Sequence, residues 1–366
     1  MRIGILTLPL HTNYGGILQA YALQTVLERM GHEVVVFDTP KVHHLPVWKM
    51  PFAYPKRIVQ KYVLRKDLKI FSELSYNRMY PIVSQYTQPF INKYIHRLEI
   101  NNFSTLDGKD FDAIVVGSDQ IWRPMYYPYI ENAFLNFAKT WNIKRIAYAA
   151  SFGTDEWEYT KRQTLKCANL AKMFDAISVR EDSGINLCHQ YLGVFAQHVL
   201  DPTMLLTKND YISLIKLAKT PQSKGTLLNY ILDETEESKK VISKMAKEKE
   251  LIPFRVNSYY ENKKASISER IQPAVETWLR GFMDAELVVT DSFHACVFSI
   301  LFGKPFIVIQ NKKRGEARIK SLLKMLGATG HVIKDSFEYT SIDSKRLSDW
   351  ILKSYDYLQK QLTYVV

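Results

Sequence analysis

Residues 284 to 309 constrain the fold more than any other stretch. Two short apolar runs, Leu287–Val289 and Phe306–Ile309, flank a segment from Phe293 to Phe302 whose apolar positions recur at helical spacing until Gly303 stops them. Strand, helix and strand in so few residues call for buried parallel strands. Between the first run and the helix stand Thr290, Asp291, Ser292, Phe293 and His294. Open α/β sheets bind ligands at the carboxyl ends of strands, and helix N-termini attract anions. This junction is therefore the first candidate site, and His294 is its most versatile side chain.

The same alternation runs through the chain. Arg2–Thr7 reads as a strand, Leu8–Gly16 as a loop, the residues from there to about Met30 as a helix closed by Gly31, and Glu33–Phe37 as a second strand. Further strands are expected at 111–116, 145–150, 176–179 and 198–200, with a helical stretch over 69–96. A polar stretch at 219–224 is the best linker, after which strands at 226–232 and 252–256 and helices at 236–249 and 273–284 lead back to the opening junction. The expected class is α/β, with two Rossmann-like domains, parallel sheets and a cleft between them. The N-terminal domain spans 1–220 with an excursion at 41–100, the C-terminal domain spans 221–342, and a terminal helix occupies 343–366, free to pack back on the N-terminal domain.

At 366 residues the chain exceeds what one core usually fills, which also favours two domains. Its three cysteines, Cys167, Cys188 and Cys296, show no paired spacing, so neither a disulfide framework nor a metal site is expected. The N-terminal run breaks too early at Pro9 for a signal peptide, and no apolar run has transmembrane length, so a cytoplasmic protein is expected. The net charge of +12 implies an acidic partner. Much of it lies in 41–70, where eight Lys or Arg and a single acid alternate with Trp48, Phe52, Tyr54 and Tyr62. Two readings stand: a solvated excursion, or a patch for an anionic membrane surface at the cytoplasmic leaflet. Nucleic acid is not expected, since these cations form no recognised binding module.

Strand ends supply the remaining candidates. Asn13, Tyr14, Gly15 and Gly16 make a Gly-rich first turn without dinucleotide spacing, so no nucleotide fingerprint is present. Asp119, Gln120 and Trp122 follow the strand at 111–116, an amide, a carboxylate and an aromatic face of the kind that contact sugars. Arg180 follows another strand, and Asp201 precedes Pro202 at a turn, where a structural role is expected.

In order along the chain, Asn-Tyr-Gly-Gly-Ile-Leu-Gln-Ala from 13, Val-Gly-Ser-Asp-Gln-Ile-Trp from 116, Ser-Val-Arg-Glu-Asp-Ser-Gly from 178, Val-Leu-Asp-Pro-Thr from 199 and Thr-Asp-Ser-Phe-His-Ala from 290 resemble the polysaccharide pyruvyl transferase family. The resemblance implies a GT-B-like fold and transfer of a pyruvyl group from phosphoenolpyruvate to a sugar of a cell-surface polysaccharide or its lipid-linked precursor, as a ketal. It needs no cofactor or metal beyond that donor. The family's catalytic acid falls on His294, while a family Arg two positions earlier falls on Ser292.

On that footing His294 is the expected acid; imidazole's ordinary pKa of about 6.5 suits it to that work. Asp291 would orient it or accept a sugar proton, with a helix cap as the plainer role. The donor's anionic groups are expected at Ser292, Phe293 and Arg180, with Arg314 or Arg318 standing in for the family Arg. The acceptor is expected at Asn13, Tyr14, Gly15, Asp119, Gln120 and Trp122. Two other functions fit the same cleft: a GT-B-type glycosyltransferase using a nucleotide sugar, and a non-catalytic saccharide-binding protein.

Overall fold

Short runs of Ile, Val and Ala, buried on both faces, form parallel strands wherever helices can cover them. The computed structural model of the protein describes residues 1–39, 45, 47–66, 69–260, 262, 264–311, 316–328 and 342–363. In chain order it contains β1 (Arg2–Leu6), α1 (Tyr14–Arg29), β2 (Glu33–Asp38), α2 (Met50–Tyr62), α3 (Ser72–Val83), α4 (Gln88–Tyr94), β3 (Arg97–Glu99), β4 (Ala113–Val116), β5 (Lys144–Ala150), α5 (Lys161–Ala171), β6 (Ala176–Val179), α6 (Asp182–Leu187) and β7 (Gln197–His198). There follow α7 (Lys208–Leu217), β8 (Leu227–Tyr230), α8 (Glu236–Glu248), β9 (Pro253–Phe254), α9 (Val275–Asp284), β10 (Leu287–Thr290), α10 (Phe293–Phe302), β11 (Phe306–Val308), α11 (Glu316–Leu326) and α12 (Ser344–Leu362).

The strands sort into two parallel sheets, ordered β3-β2-β1-β4-β5-β6-β7 and β11-β10-β8-β9. In the first, strand order reverses between β1 and β4; in the second, between β8 and β10. A crevice opens at the carboxyl ends of strands at such reversals. Both crevices contribute to the cleft described below.

One apolar core joins the two halves. Ile17 and Leu18 of α1, Tyr211 of α7, Trp278 and Phe282 of α9 and Phe298 of α10 belong to a single buried cluster. Tyr14 crosses from the first half to stack on Trp278 at 5.4 Å, and its hydroxyl donates to Pro273 O at 2.8 Å. The terminal helix α12 lies against the first sheet: Tyr357 donates to Ala147 O at 3.3 Å, and Ser354 Oγ accepts from Leu200 N at 2.9 Å.

Two details depart from the periodicity. The helical stretch expected over 69–96 is two helices, α3 and α4, broken where Thr87 turns back to donate to His11 O. It is followed by the unexpected β3, an edge strand whose charged Arg97 and Glu99 hide the apolar signal of a strand. Arg97 faces inward far enough to hold Asp38 at 2.8 Å.

Candidate functional site

The carboxyl ends of β1 and β4 on one side, and of β8, β9 and β10 on the other, enclose a cleft of about 610 Å³. The first half brings the loop from Leu8 to Gly16 together with Asp119 and Gln120; the second brings Tyr230, Leu232 to Glu234, Arg255, Asp291 to His294, and Arg318 of α11. Nine of the sequence candidates thus meet around one cleft, namely Asn13, Gly15, Asp119, Gln120, Asp291, Ser292, Phe293, His294 and Arg318.

His294 sits in the first turn of α10 and is nearly buried. Its Nε2 faces Asp201 Oδ2 at 3.6 Å, within ion-pair range but longer than a direct hydrogen bond. Its other edge abuts α1: a Cβ built on Gly15 would fall 2.0 Å from His294 Nδ1. Glycine is required at 15 because the ring occupies the space a side chain would take. Asn13 sets this helix start, its side chain accepting from Gly16 N at 3.3 Å. The imidazole is thus clamped between a carboxylate of the first half and a helix N-terminus of the same half.

Asp201 is the hub beneath it. Its Oδ2 accepts from Arg180 Nη1 at 2.7 Å and from Ser118 Oγ at 3.2 Å, and its Oδ1 from Thr203 N at 3.0 Å. Burial by itself would raise this carboxyl, but the hydrogen-bonding and charge of His294 and Arg180 hold it far below the usual carboxylate range. The turn before Pro202 is structural as expected; the sequence did not disclose that its carboxylate also reaches the histidine of the other half.

Arg180 is buried and bridges Asp201 and Asp119, the latter at 3.3 Å. Burial opposes its charge, and the carboxylates Asp201, Asp119 and Glu181 more than restore it. This corrects the expectation that Arg180 binds the donor: its fork is spent on two aspartates and it does not reach the cleft wall. Asp119 pairs with Arg180 while still lining the cleft.

Phe293 lies within cation–π reach of two guanidiniums, Arg180 at 4.5 Å and Arg318 at 5.7 Å from the ring centroid. Burial, and then repulsion by Arg180, bring Arg318 down to about 10, so it stays cationic at neutral pH. Ser292 is the N-cap of α10, yet its side chain makes no capping bond, and the helix start faces the cleft. Arg314 lies outside the described residues.

Three further expectations are corrected. Asp291 does not orient His294: it accepts from Leu232 N at 2.8 Å, Asp233 N at 3.2 Å and Asn311 Nδ2 at 2.9 Å, which ties β10 to the loop after β8. Burial pushes its carboxyl up against those bonds. Tyr14 is a core residue on Trp278 and does not line the cleft. Trp122 is fully buried, stacked on Phe134 at 4.7 Å with its indole N–H on Ala133 O, so it has no face for a sugar. Gln120, two residues earlier, does line the cleft, and its Oε1 accepts from Arg123 at 3.1 Å.

Arg255 and Glu234 are cleft residues the sequence reading missed. They pair with each other, and Arg255 lies over the Tyr259 ring at 4.6 Å. Arg255 directly follows β9, the same strand-end position that singled out the others, so the signal was present in the sequence. Among the described residues no group of His, Cys, Asp and Glu is arranged to hold a metal ion, and no helix is long and apolar enough to cross a membrane.

A family model described as polysaccharide pyruvyl transferase matches residues 13–313. No curated protein matches the chain. Among solved structures, the UDP-GlcNAc 2-epimerase from Methanocaldococcus jannaschii superposes with a TM-score of 0.50 at 11% identity, covering 96% of this chain and 92% of that one. A second 2-epimerase, from Neisseria meningitidis and bound to UDP-GlcNAc, gives 0.47 at 10% identity over 99% and 93%. At such identities the likeness concerns the fold, which is GT-B-like.

Proposed function

Because this chain belongs to the polysaccharide pyruvyl transferase family, we propose that it transfers a pyruvyl group from phosphoenolpyruvate to a saccharide as a ketal, with His294 as the acid. The contact that carries this assignment is His294 against Asp201, at the wall of a cleft shared by both halves. The buried Asp201 carboxylate, itself held by Arg180, fixes the Nε2 edge of the imidazole inward. Asp201 is a positioning residue in this scheme.

The imidazolium gives its proton to the methylene carbon of the donor, and cationic character develops at C2. A sugar hydroxyl oxygen bonds to C2 and loses its proton; the C2–O bond to phosphate breaks, and a second hydroxyl closes the ketal with loss of its own proton. Asp291 is the acceptor for a hydroxyl proton, since burial pushes its carboxyl up, while Asp119 is paired with Arg180. Arg318 and the uncapped N-terminus of α10 hold the donor's phosphate and carboxylate, the role for which Ser292 has no charge.

Incubation with phosphoenolpyruvate and a saccharide acceptor should release phosphate only when both are present. His294→Gln should lower kcat by about a hundred- to ten-thousandfold, and Arg318→Gln should chiefly raise KM for the donor. Turnover of a nucleotide sugar in place of phosphoenolpyruvate, or full activity in His294→Gln, would overturn the assignment.

A further inference from the structure

The segment from Val47 to Lys66 is built the wrong way round for a helix on a soluble protein. Amphipathic helices turn their apolar stripe to the core. In α2 the inward positions are Tyr54, on Phe71 at 4.9 Å, and Arg57, which forks onto Glu73 at 2.6 and 2.7 Å. The stripe Phe52, Val59, Tyr62 and Val63 faces solvent, with Phe52 76% and Val63 71% exposed, and Trp48 just before the helix is 70% exposed. No residue of α2 is buried. Around this stripe stand Lys49, Lys56, Lys61, Arg65 and Lys66, and residues 45–66 contain no acid. Lys49 and Lys61 lie over the rings of Trp48 and Tyr62 at 4.8 and 5.7 Å.

We propose that residues 47–66 seat the protein on an anionic lipid surface. Trp48, Phe52, Val59, Tyr62 and Val63 enter the headgroup layer, and the five outward cations face acidic headgroups. The charge pattern selects this occupant. A second copy meeting the same face would set these cations against themselves, because an isologous contact repeats one patch on both sides. Arg57, spent on Glu73, is not part of the docking face.

One helix also links this surface to the cleft. From its contact with α2, α3 runs 12 residues, about 18 Å, to the cleft rim. There Tyr80 packs edge-on to His11, and Val83 O accepts from Gln272 N at 2.9 Å. An acceptor carried on a lipid would thus meet the cleft along one helix. This last consequence rests on the proposed reaction, whereas lipid binding is measured without any substrate, so the two can fail separately.

The full chain is to be co-sedimented with phosphatidylcholine vesicles with and without phosphatidylglycerol. Binding is expected only with the anionic lipid, falling as salt is raised, with a blue shift of tryptophan emission. Lys56→Gln, Lys61→Gln and Arg65→Gln together should lower the partition coefficient about a hundredfold, at roughly fivefold per charge. Phe52→Ser with Tyr62→Ser should weaken what binding persists at high salt. These positions are exposed, and the salt response of the unaltered protein decides the matter without any variant. Equal partition onto both vesicle types, or none onto either, would overturn the proposal. So would a concentration-dependent dimer in sedimentation velocity that Phe52→Ser with Tyr62→Ser abolishes.

Discussion

At the scale of single residues, the site depends on contacts between positions far apart in sequence. Gly15 exists to admit the His294 ring, which a methyl group would meet at 2.0 Å, while a methyl at Gly16 finds its nearest neighbours at 3.5 Å. Gly15→Ala should therefore displace the imidazole and lower turnover by on the order of a hundredfold, and Gly16→Ala should lower it far less. Steady-state kinetics on the two variants, with circular dichroism to confirm folding, make the comparison. His294 itself was legible, because a polar residue between a buried strand and a helix is rare enough to mark a site. Its partner was not: Asp201 read as a turn residue, since nothing local shows that its second oxygen crosses to the other half.

At the scale of elements, strand ends were a useful guide for the first few residues beyond them, though not for every side chain there. Asp119 and Gln120 follow β4 and reach the cleft, whereas Trp122 has already turned under the sheet into the cluster with Phe134 and Phe152. An aromatic near a saccharide-like loop looks the same in sequence whether it faces in or out; burial decides it. Trp122→Ala should destabilise the fold by about 3–5 kcal/mol in urea unfolding and leave the acceptor KM of the remaining folded enzyme unchanged. A selective rise in acceptor KM with unaltered stability would place the ring in the cleft after all. The edge strand β3 shows the opposite failure: charged residues on a strand at the rim conceal it from any apolar count.

At the scale of the whole molecule, the Asp201 cluster ties the two sheets together electrostatically as Tyr14 and Trp278 do by packing. Its ionisation is therefore a stability device with a definite pH dependence. A carboxyl held far below its ordinary value contributes in full above its unfolded pKa of about 3.9, and that contribution drains away as pH falls below it. Asp201→Asn, which leaves Arg180 and His294 facing a neutral amide, should lose about 3 kcal/mol or more at neutral pH. The gap in melting temperature from the unaltered protein should narrow below about pH 4. A gap that stays constant from pH 7 to pH 3 would mean the aspartate acts through shape alone.

The sequence by itself determined the class, the two parallel sheets and the junction holding His294, because strand burial, helical spacing and turn residues are local properties that a chain cannot hide. Membership of the family was legible for the same reason: its motifs are strand-end loops whose residues stand together. The tertiary structure alone decided that the halves share one core, that Arg180 turns its fork onto Asp201 and Asp119, and that α2 turns its apolar stripe outward. Each of these depends on which surface meets which after the chain has folded back on itself, and that depends on pairs of residues far apart along the chain.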